Sequence, residues 1–568
     1  MRRRTSDHRD SHDGHDGHDG HDGLDGLDHH DGVDHHDGVD HHGGHRQRAS
    51  AAVAKPRSKT DVRAIGRPAR GSGTRAGRPA PYHPDVPRPV CLLNVVALSP
   101  NLIGDRTPRI REFARRVGGV RTLVPPLPAV TCTSQSTMLT GLAPSGHGIV
   151  GNGWHDRALG EVQFWKQSNR LVQAEKVWET ARRIDPSFTC ANICWWYAMH
   201  ASTDAMLTPR PVYKADGRKI PDCLSTPAGL RDELQAKFGQ FPLFRFWGPM
   251  AGIESSDWIA LAAMHVIESQ RPSLSLVYLP HLDYALQKLG PGHPSIQQEL
   301  REVDRVVGGL LDRLERLGVA PVIVSEYGIV PVRDAIWMNR ALRDAGYLAV
   351  RVEDGREILD LEHSRAFAVA DHQVAHVSVR DPADVAAVER ILARIEGVER
   401  TLSGDARRAA GLDHARAGDI VCVSAADRWF AYGWWMDDAK APDYARTVDI
   451  HRKPGYDPCE LFYDPKLAWP AGRAMAKLAL RKLGFRTLLD VIPLDASLVR
   501  GSHGRASQAP GFDPVLIGEL PDPFLEQSLP MGCVRDAVLA ATLGASHANA
   551  VASEWSHETR ALRTGTRR

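Results

Sequence analysis

Residues 128–152 read PAVTCTSQSTMLTGLAPSGHGIVGN. A proline-containing turn leads into Thr131, a short helical stretch runs to Thr140, and Gly141 is the residue type that ends helices. A hydroxyl at the start of that helix faces backbone N–H groups without an intrahelical partner and the positive end of the helix dipole. That setting stabilises an alkoxide or a bound phosphate. Thr and Ser are also ordinary helix caps, and on these residues alone capping by Thr131 is the simpler reading.

Outward from this segment, strand-like and helix-like patterns alternate, which predicts an α/β fold: a central, mostly parallel sheet flanked by helices. Cys91–Leu98, Leu274–Leu279 and Pro321–Ser325 are apolar runs of buried-strand length. Arg109–Val117 has helical spacing. So does Ser295–Leu317, with Leu300, Val303, Val307, Leu310, Leu314 and Leu317 on one face. Asp334–Ala345 and Pro382–Ile395 read as helices, and Tyr347–Val350 as a strand. In open parallel sheets the functional side chains gather just past the carboxyl ends of the strands. Beyond Leu279 come Pro280, His281, Leu282 and Asp283. Beyond Val324 come Ser325, Glu326, Tyr327 and Gly328. Beyond Leu98 there is no carboxylate before Asp105.

The formal net charge is +2 over 568 residues, so bulk charge points to neither nucleic acid nor a membrane surface as the main partner. Eight cysteines form no CxxC pair, and Cys190 with Cys194 lacks a second pair to complete a zinc site. They read as reduced, buried thiols of a cytoplasmic protein. No apolar run has the length of a membrane span, and the basic N-terminus is followed by His, Asp and Gly rather than by a signal region. Residues 1–45 repeat an HDG unit, which reads as a disordered tail or, alternatively, as a weak metal store. Residues 46–88, rich in Arg, Pro, Ala and Gly, read as a flexible linker. A catalytic domain is expected over 89–505. Loose periodicity past Gly504 suggests a partly mobile C-terminal extension over 506–568.

The 128–152 run resembles the nucleophile segment of the nucleotide pyrophosphatase/phosphodiesterase (type I phosphodiesterase) family, in the alkaline phosphatase superfamily. There a Pro-x-x-Thr stretch precedes a helix, followed by a Thr-Gly-Leu turn and Pro-x-x-His-Gly-Ile. The match here has no gap. Further matching pieces are Thr107-Pro108, Asp283 before Gly290-Pro291, Val303-Asp304, Asn339-Arg340 with Leu342, and Gly501-Ser502-His503-Gly504. The resemblance implies an alkaline phosphatase-like core, Thr131 as nucleophile and Ser134 at a phosphate-contacting position. It also implies a phosphorylated small-molecule substrate and one or two divalent metal ions, usually zinc.

Family members hold those metals with Asp, His and His on one side and Asp, Asp, His and the threonine on the other. Asp283 and His503 match the first set, but Gln287 stands where its other histidine belongs. In the second set Glu326 replaces an Asp, Tyr327 a His and Val96 the first-strand Asp. Valine coordinates nothing, and Gln and Tyr are poor substitutes for imidazole. One reading seats a single metal between Asp283, His503 and some of His281, Glu326, His372 and His376. The other is a metal-poor site that binds a phosphorylated ligand. His451, Arg452 and Lys453, in a Pro/Gly-rich loop, suit a phosphate or carboxylate, or else form a solvated loop balanced by Asp457. The expected function is metal-dependent hydrolysis of a phosphodiester, pyrophosphate or related small molecule through Thr131. The alternatives are a phosphonate hydrolase and a non-catalytic binding or scaffold protein. A sulfatase is disfavoured, because Cys132 lacks the Pro and Arg that follow the modified residue there. Oligomeric state is not legible in the sequence.

Overall fold

A computed structural model describes residues 87–215, 218–505, 509–522 and 524–544. The expected tail, nearly all of the expected linker and the end of the expected C-terminal extension lie outside those residues.

The central sheet takes its first seven strands from β1 (Val90–Val95), β2 (Arg121–Val124), β3 (Cys190–Ile193), β4 (Ala205–Pro209), β5 (Cys223–Thr226), β6 (Leu274–Leu279) and β7 (Ala320–Val324). A separate antiparallel sheet follows, built from β8 (Ala366–Asp371), β9 (Val374–Val379), β10 (Val398–Leu402) and β11 (Ile420–Ser424). Then β12 (Val515–Gly518) and β13 (Ser528–Pro530) return to the first sheet. The nine-stranded order is β13-β2-β12-β7-β1-β6-β3-β4-β5. From β7 to β4 all neighbours are parallel; β12 and β5 join their neighbours antiparallel. Both central strands, VCLLNV and LSLVYL, are buried at every position, as expected of parallel strands covered on both faces.

Covering helices are anchored by polar contacts as well as apolar ones. Asp304, on the helix Ile296–Leu317, accepts hydrogen bonds from the backbone N–H groups of Arg109 and Ile110 at 3.1 and 2.8 Å. It thereby caps the helix Pro108–Arg116 from across the fold. Asn339 clamps Ala368 by two hydrogen bonds and donates a third to the Tyr432 carbonyl. These two matching positions therefore have structural duties.

Three expectations are corrected. Asp334–Ala345 is a strand over Asp334–Ile336, paired with Arg428–Phe430, followed by a helix from Met338 to Asp344. Only the helix Val385–Leu392 and a preceding 3₁₀ turn fill Pro382–Ile395. The core does not end at 505: β12 and β13 belong to the central sheet, and the helix Cys533–Leu543 packs on β1 and on Thr131–Thr140. A four-residue strand is too short for periodicity to reveal it. All eight cysteines are buried and unpaired.

Candidate active site

β7, β1 and β6 lie side by side and parallel, so the residues past their carboxyl ends converge. Glu326 and Tyr327 follow β7, and Asp283 sits in the first turn of the helix His281–Leu289 after β6. Thr131 is brought against them as the first residue of the helix Thr131–Thr140. Val130 is the extended cap residue, so Thr131 is not a cap and its hydroxyl serves elsewhere.

Every residue of that helix is buried although TCTSQSTMLT is largely polar. Buried polar groups need partners, and here several converge on Glu326 and Tyr327. Thr131 Oγ1 lies 3.2 Å from Tyr327 Oη, and Tyr327 donates to Asp283 Oδ1 at 3.1 Å. A phenol has one proton, so Thr131 must be the donor to Tyr327. The other Asp283 oxygen accepts from Gln287 at 2.8 Å, and Gln287 in turn accepts from Tyr456 at 2.7 Å. Glu326 Oε1 accepts from Asn94 at 2.6 Å and from Gln135 at 2.5 Å. Ser134 is spent on the Glu326 backbone carbonyl at 3.1 Å.

A second chain of contacts fixes the helix start. Asp371 accepts from both the backbone and the side-chain amide of Asn152, and Asn152 Oδ1 accepts from Cys132 N–H at 3.0 Å. His372 hydrogen-bonds Asp371 through Nδ1 at 2.8 Å and stacks on Tyr456. His503 Nδ1 is 2.8 Å from the Ala129 carbonyl. It must carry the proton, which leaves Nε2 as a bare lone pair. That ring is stacked on Tyr327 at 3.5 Å, and its Nε2 is 3.8 Å from Asp283 Oδ1.

Burial dominates the electrostatics. It pushes Asp283 up to about 7 against the hydrogen bond from Tyr327, and Glu326 up to about 7 against those from Gln135 and Asn94. Asp371 rises to about 6 for the same reason. Burial holds His372 and His503 neutral, well below the ordinary histidine value, and keeps the Tyr327 phenol well above its own.

Thr131, Asp283, Tyr327 and His372 form the buried end of a cavity of about 860 Å³. Trp165, Trp196, Trp247, Tyr278, Tyr284 and Tyr456 line its sides, and Arg210, Lys219, His451 and Arg452 also border it.

With this geometry in place, the comparisons with known proteins decide the family. The model of the type I phosphodiesterase/nucleotide pyrophosphatase family matches residues 90–457. The chain belongs to that family. An uncharacterized pyrophosphatase/phosphodiesterase of Schizosaccharomyces pombe is 24% identical over 41% of this chain and 43% of its own length. Mouse ectonucleotide pyrophosphatase/phosphodiesterase family member 1 is 20% identical over 40% of this chain and 22% of its own. The chain thus spans less than half the length of these curated relatives. A crystal structure of phosphonoacetate hydrolase from Sinorhizobium meliloti, in complex with phosphonoacetate, shares the fold. Its TM-score is 0.52 and its identity 17%, over 80% of this chain and 96% of that one.

The type I phosphodiesterase family generally works with divalent metal, and the donor set here does not fit one. Among the described residues no group of three or more His, Cys, Asp and Glu is arranged to hold an ion. Both Asp283 oxygens are committed to Tyr327 and Gln287, and one Glu326 oxygen to two amides. The histidines expected to complete a site do not converge on it. His376 uses both ring nitrogens, accepting from Gly418 N–H and donating to the Val150 carbonyl. His281 Nε2 lies 2.8 Å from Glu299 on the long helix. Only His372 and His503 approach each other, ring to ring at 3.8 Å.

The basic loop divides. His451 and Arg452 border the cavity, with Arg452 over the Tyr444 ring. Lys453 does not reach it: it is 1% exposed and bridges Asp457 and Glu460, each at 2.7 Å. A buried ammonium between two carboxylates is a structural ion cluster. Trp434 and Trp435 are core residues.

Sequence reading missed Asn94, Gln135, Asn152 and Tyr456. Two of these carried a signal. Asn94 is the one polar residue of β1, and Gln135 sits in a helix with too few apolar positions to be a surface helix.

Proposed function

We propose that the cavity binds a phosphorylated small molecule and that Thr131 attacks its phosphorus, hydrolysing a phosphodiester, pyrophosphate or related bond. The observation that carries this reading is the hydrogen-bonded series Thr131–Tyr327–Asp283 at the buried end of the cavity. As the Thr131 Oγ1–P bond forms, the Thr131 proton passes to Tyr327 and the Tyr327 proton passes to Asp283. A carboxyl held near 7 is suited to accept it. The leaving oxygen takes a proton back from Asp283 as its bond to phosphorus breaks. Water then cleaves the phospho-threonine. The first-turn N–H groups of the Thr131 helix favour negative charge developing at that point. No step runs through a metal, because the residues do not fit one.

A second reading is favoured by Val96, Gln287 and Tyr327 standing at ligand positions of the type I phosphodiesterases: a site that binds phosphorylated ligands and does not turn them over. Eight free thiols suit a reducing compartment, and the cytoplasm is the setting proposed here. Among the described residues no helix is long and apolar enough to cross a membrane.

The deciding experiment is a turnover screen on bis-p-nitrophenyl phosphate, p-nitrophenyl phosphate, nucleotide sugars and phosphonates, with several divalent metals and with chelator. Thr131→Ala should abolish whatever turnover is found, and Thr131→Ser should retain part of it. Stability should change by only about 1 kcal/mol, the worth of one hydrogen bond. Full activity in Thr131→Ala would sink the nucleophile assignment. Ligand binding without turnover would establish the second reading.

A further inference from the structure

Residues 469–489 read WPAGRAMAKLALRKLGFRTLL, with five cations (Arg473, Lys477, Arg481, Lys482, Arg486) and no carboxylate. They form the 13-residue helix Pro470–Lys482 and a return segment. Gly472 is the only buried residue of that helix. Its apolar side chains are left exposed instead: Met475, on the cavity border, is 59% exposed, and the flanking Trp469, Leu483 and Phe485 are 75%, 74% and 61% exposed. A helix of this length is marginal in water unless it packs an apolar face, and this one packs almost none. What ties it down is local. Arg473 and Lys477 both pair with Asp490, and Arg481 donates to the Thr487 carbonyl.

We propose that this segment is a docking surface for an anionic lipid bilayer. A helix rich in Lys and Arg, with Trp, Phe and Leu exposed beside them, is suited to lie in the interface plane. Charge complementarity selects the occupant. Asp490 holds Arg473 and Lys477, so a protein partner would have to present carboxylates in register with Arg481, Lys482 and Arg486, whereas an anionic bilayer offers diffuse negative charge directly above an apolar layer. The position agrees. Met475 and Leu478 border the cavity, as do the exposed Tyr213, Phe244 and Met250 on other segments, so the apolar rim continues around the opening. Docking would set the cavity mouth at the interface. Bulk charge and a search for spanning segments are both blind to such a helix, which is why the sequence reading assigned no membrane partner.

The test is co-sedimentation of the full chain with vesicles of phosphatidylcholine alone and of phosphatidylcholine with phosphatidylserine, alongside light scattering without lipid. The expected result is sedimentation with the phosphatidylserine vesicles and weakening by salt. Leu483→Glu with Phe485→Glu should lower the apparent affinity at least about tenfold. The melting temperature should hold, because both side chains are exposed. Lys482→Gln with Arg486→Gln should weaken binding while leaving the apolar residues in place. The proposal is overturned if the chain stays in the supernatant, if phosphatidylserine makes no difference, or if the Glu variant sediments like the parent. It is equally overturned if light scattering finds a dimer that the Glu variant dissociates, since a second copy is then the occupant.

Discussion

Tyr327 Oη stands 3.2 Å from Thr131 Oγ1, at a position where the type I phosphodiesterase pattern has a histidine. The phenol there accepts from the threonine hydroxyl and donates to Asp283, and in the reaction proposed above it would relay the threonine proton to that carboxylate.

Tyr327→Phe isolates that role. The ring can keep its stack on His503 while the hydroxyl is lost. Turnover per folded molecule should fall at least about tenfold, equivalent to about 1.4 kcal/mol of barrier, with KM nearly unchanged. Steady-state kinetics on the substrate found by the screen check this. An equal rise in KM with kcat intact would assign Tyr327 to binding instead.

Restoring the family's ligands should restore its metal. In the chain as it stands, zinc after chelator treatment and re-dialysis should be substoichiometric. Val96→Asp, Gln287→His and Tyr327→His together should bring it to about two ions per chain, since each site then regains three or more ligands. Elemental analysis measures this directly. Stoichiometric zinc in the unaltered chain would show that Asp283, Glu326 and His503 recruit an ion despite their present partners.

The two neighbours Arg452 and Lys453 should behave oppositely. Lys453→Met leaves Asp457 and Glu460 buried without their cation, and removing one partner from such a cluster costs about 3–5 kcal/mol. Arg452→Ala, at an exposed position on the cavity border, should leave stability within about 0.5 kcal/mol and act on KM. Denaturant titration separates them. A stable Lys453→Met with impaired binding would return Lys453 to the ligand site.

His147 gives a pH signature of folding. Its Nδ1 accepts from Ile149 N–H and its Nε2 faces Thr137 at 3.1 Å, so the ring is held neutral. Burial lowers it from 6.5 to about 3. Between those values the unfolded chain binds the extra proton, so this contribution is full above 6.5 and is lost as pH falls towards 3. The loss can reach about 1.4 kcal/mol per pH unit. His147→Gln should flatten the acid limb of stability against pH, and chemical denaturation from neutral to acid pH would record it. Identical slopes in both proteins would show that the ring already titrates when folded.

The fold was legible because its signals are local. Buried parallel strands such as VCLLNV and LSLVYL announce themselves by unbroken apolarity, and the long helix by its 3.6-residue stripe. Thr131 was singled out by the family resemblance alone: on its own residues it read as a helix cap, and the fold gives that place to Val130. β12 was not: four residues hold too little period to read, and only pairing with β7 and β2 makes them a strand.

By itself the sequence determined the α/β class and, through its resemblance, the family, because both are carried by residue types at short spacings. Only the tertiary structure decided where the candidate site residues sit and what they touch. Lys453 lies next to Arg452 in the chain but inside a carboxylate cluster in space. His376 and His281, chemically able ligands, have their lone pairs or positions committed elsewhere. Asn94 and Gln135 share one Glu326 oxygen and Gln287 takes one Asp283 oxygen, while the second Glu326 oxygen and His503 Nε2 stay buried without a hydrogen-bond partner. Coordination and proton transfer both depend on which lone pairs converge within about 3 Å. Residues 94, 135, 287 and 327 are brought to that distance by the packing of strands far apart in sequence.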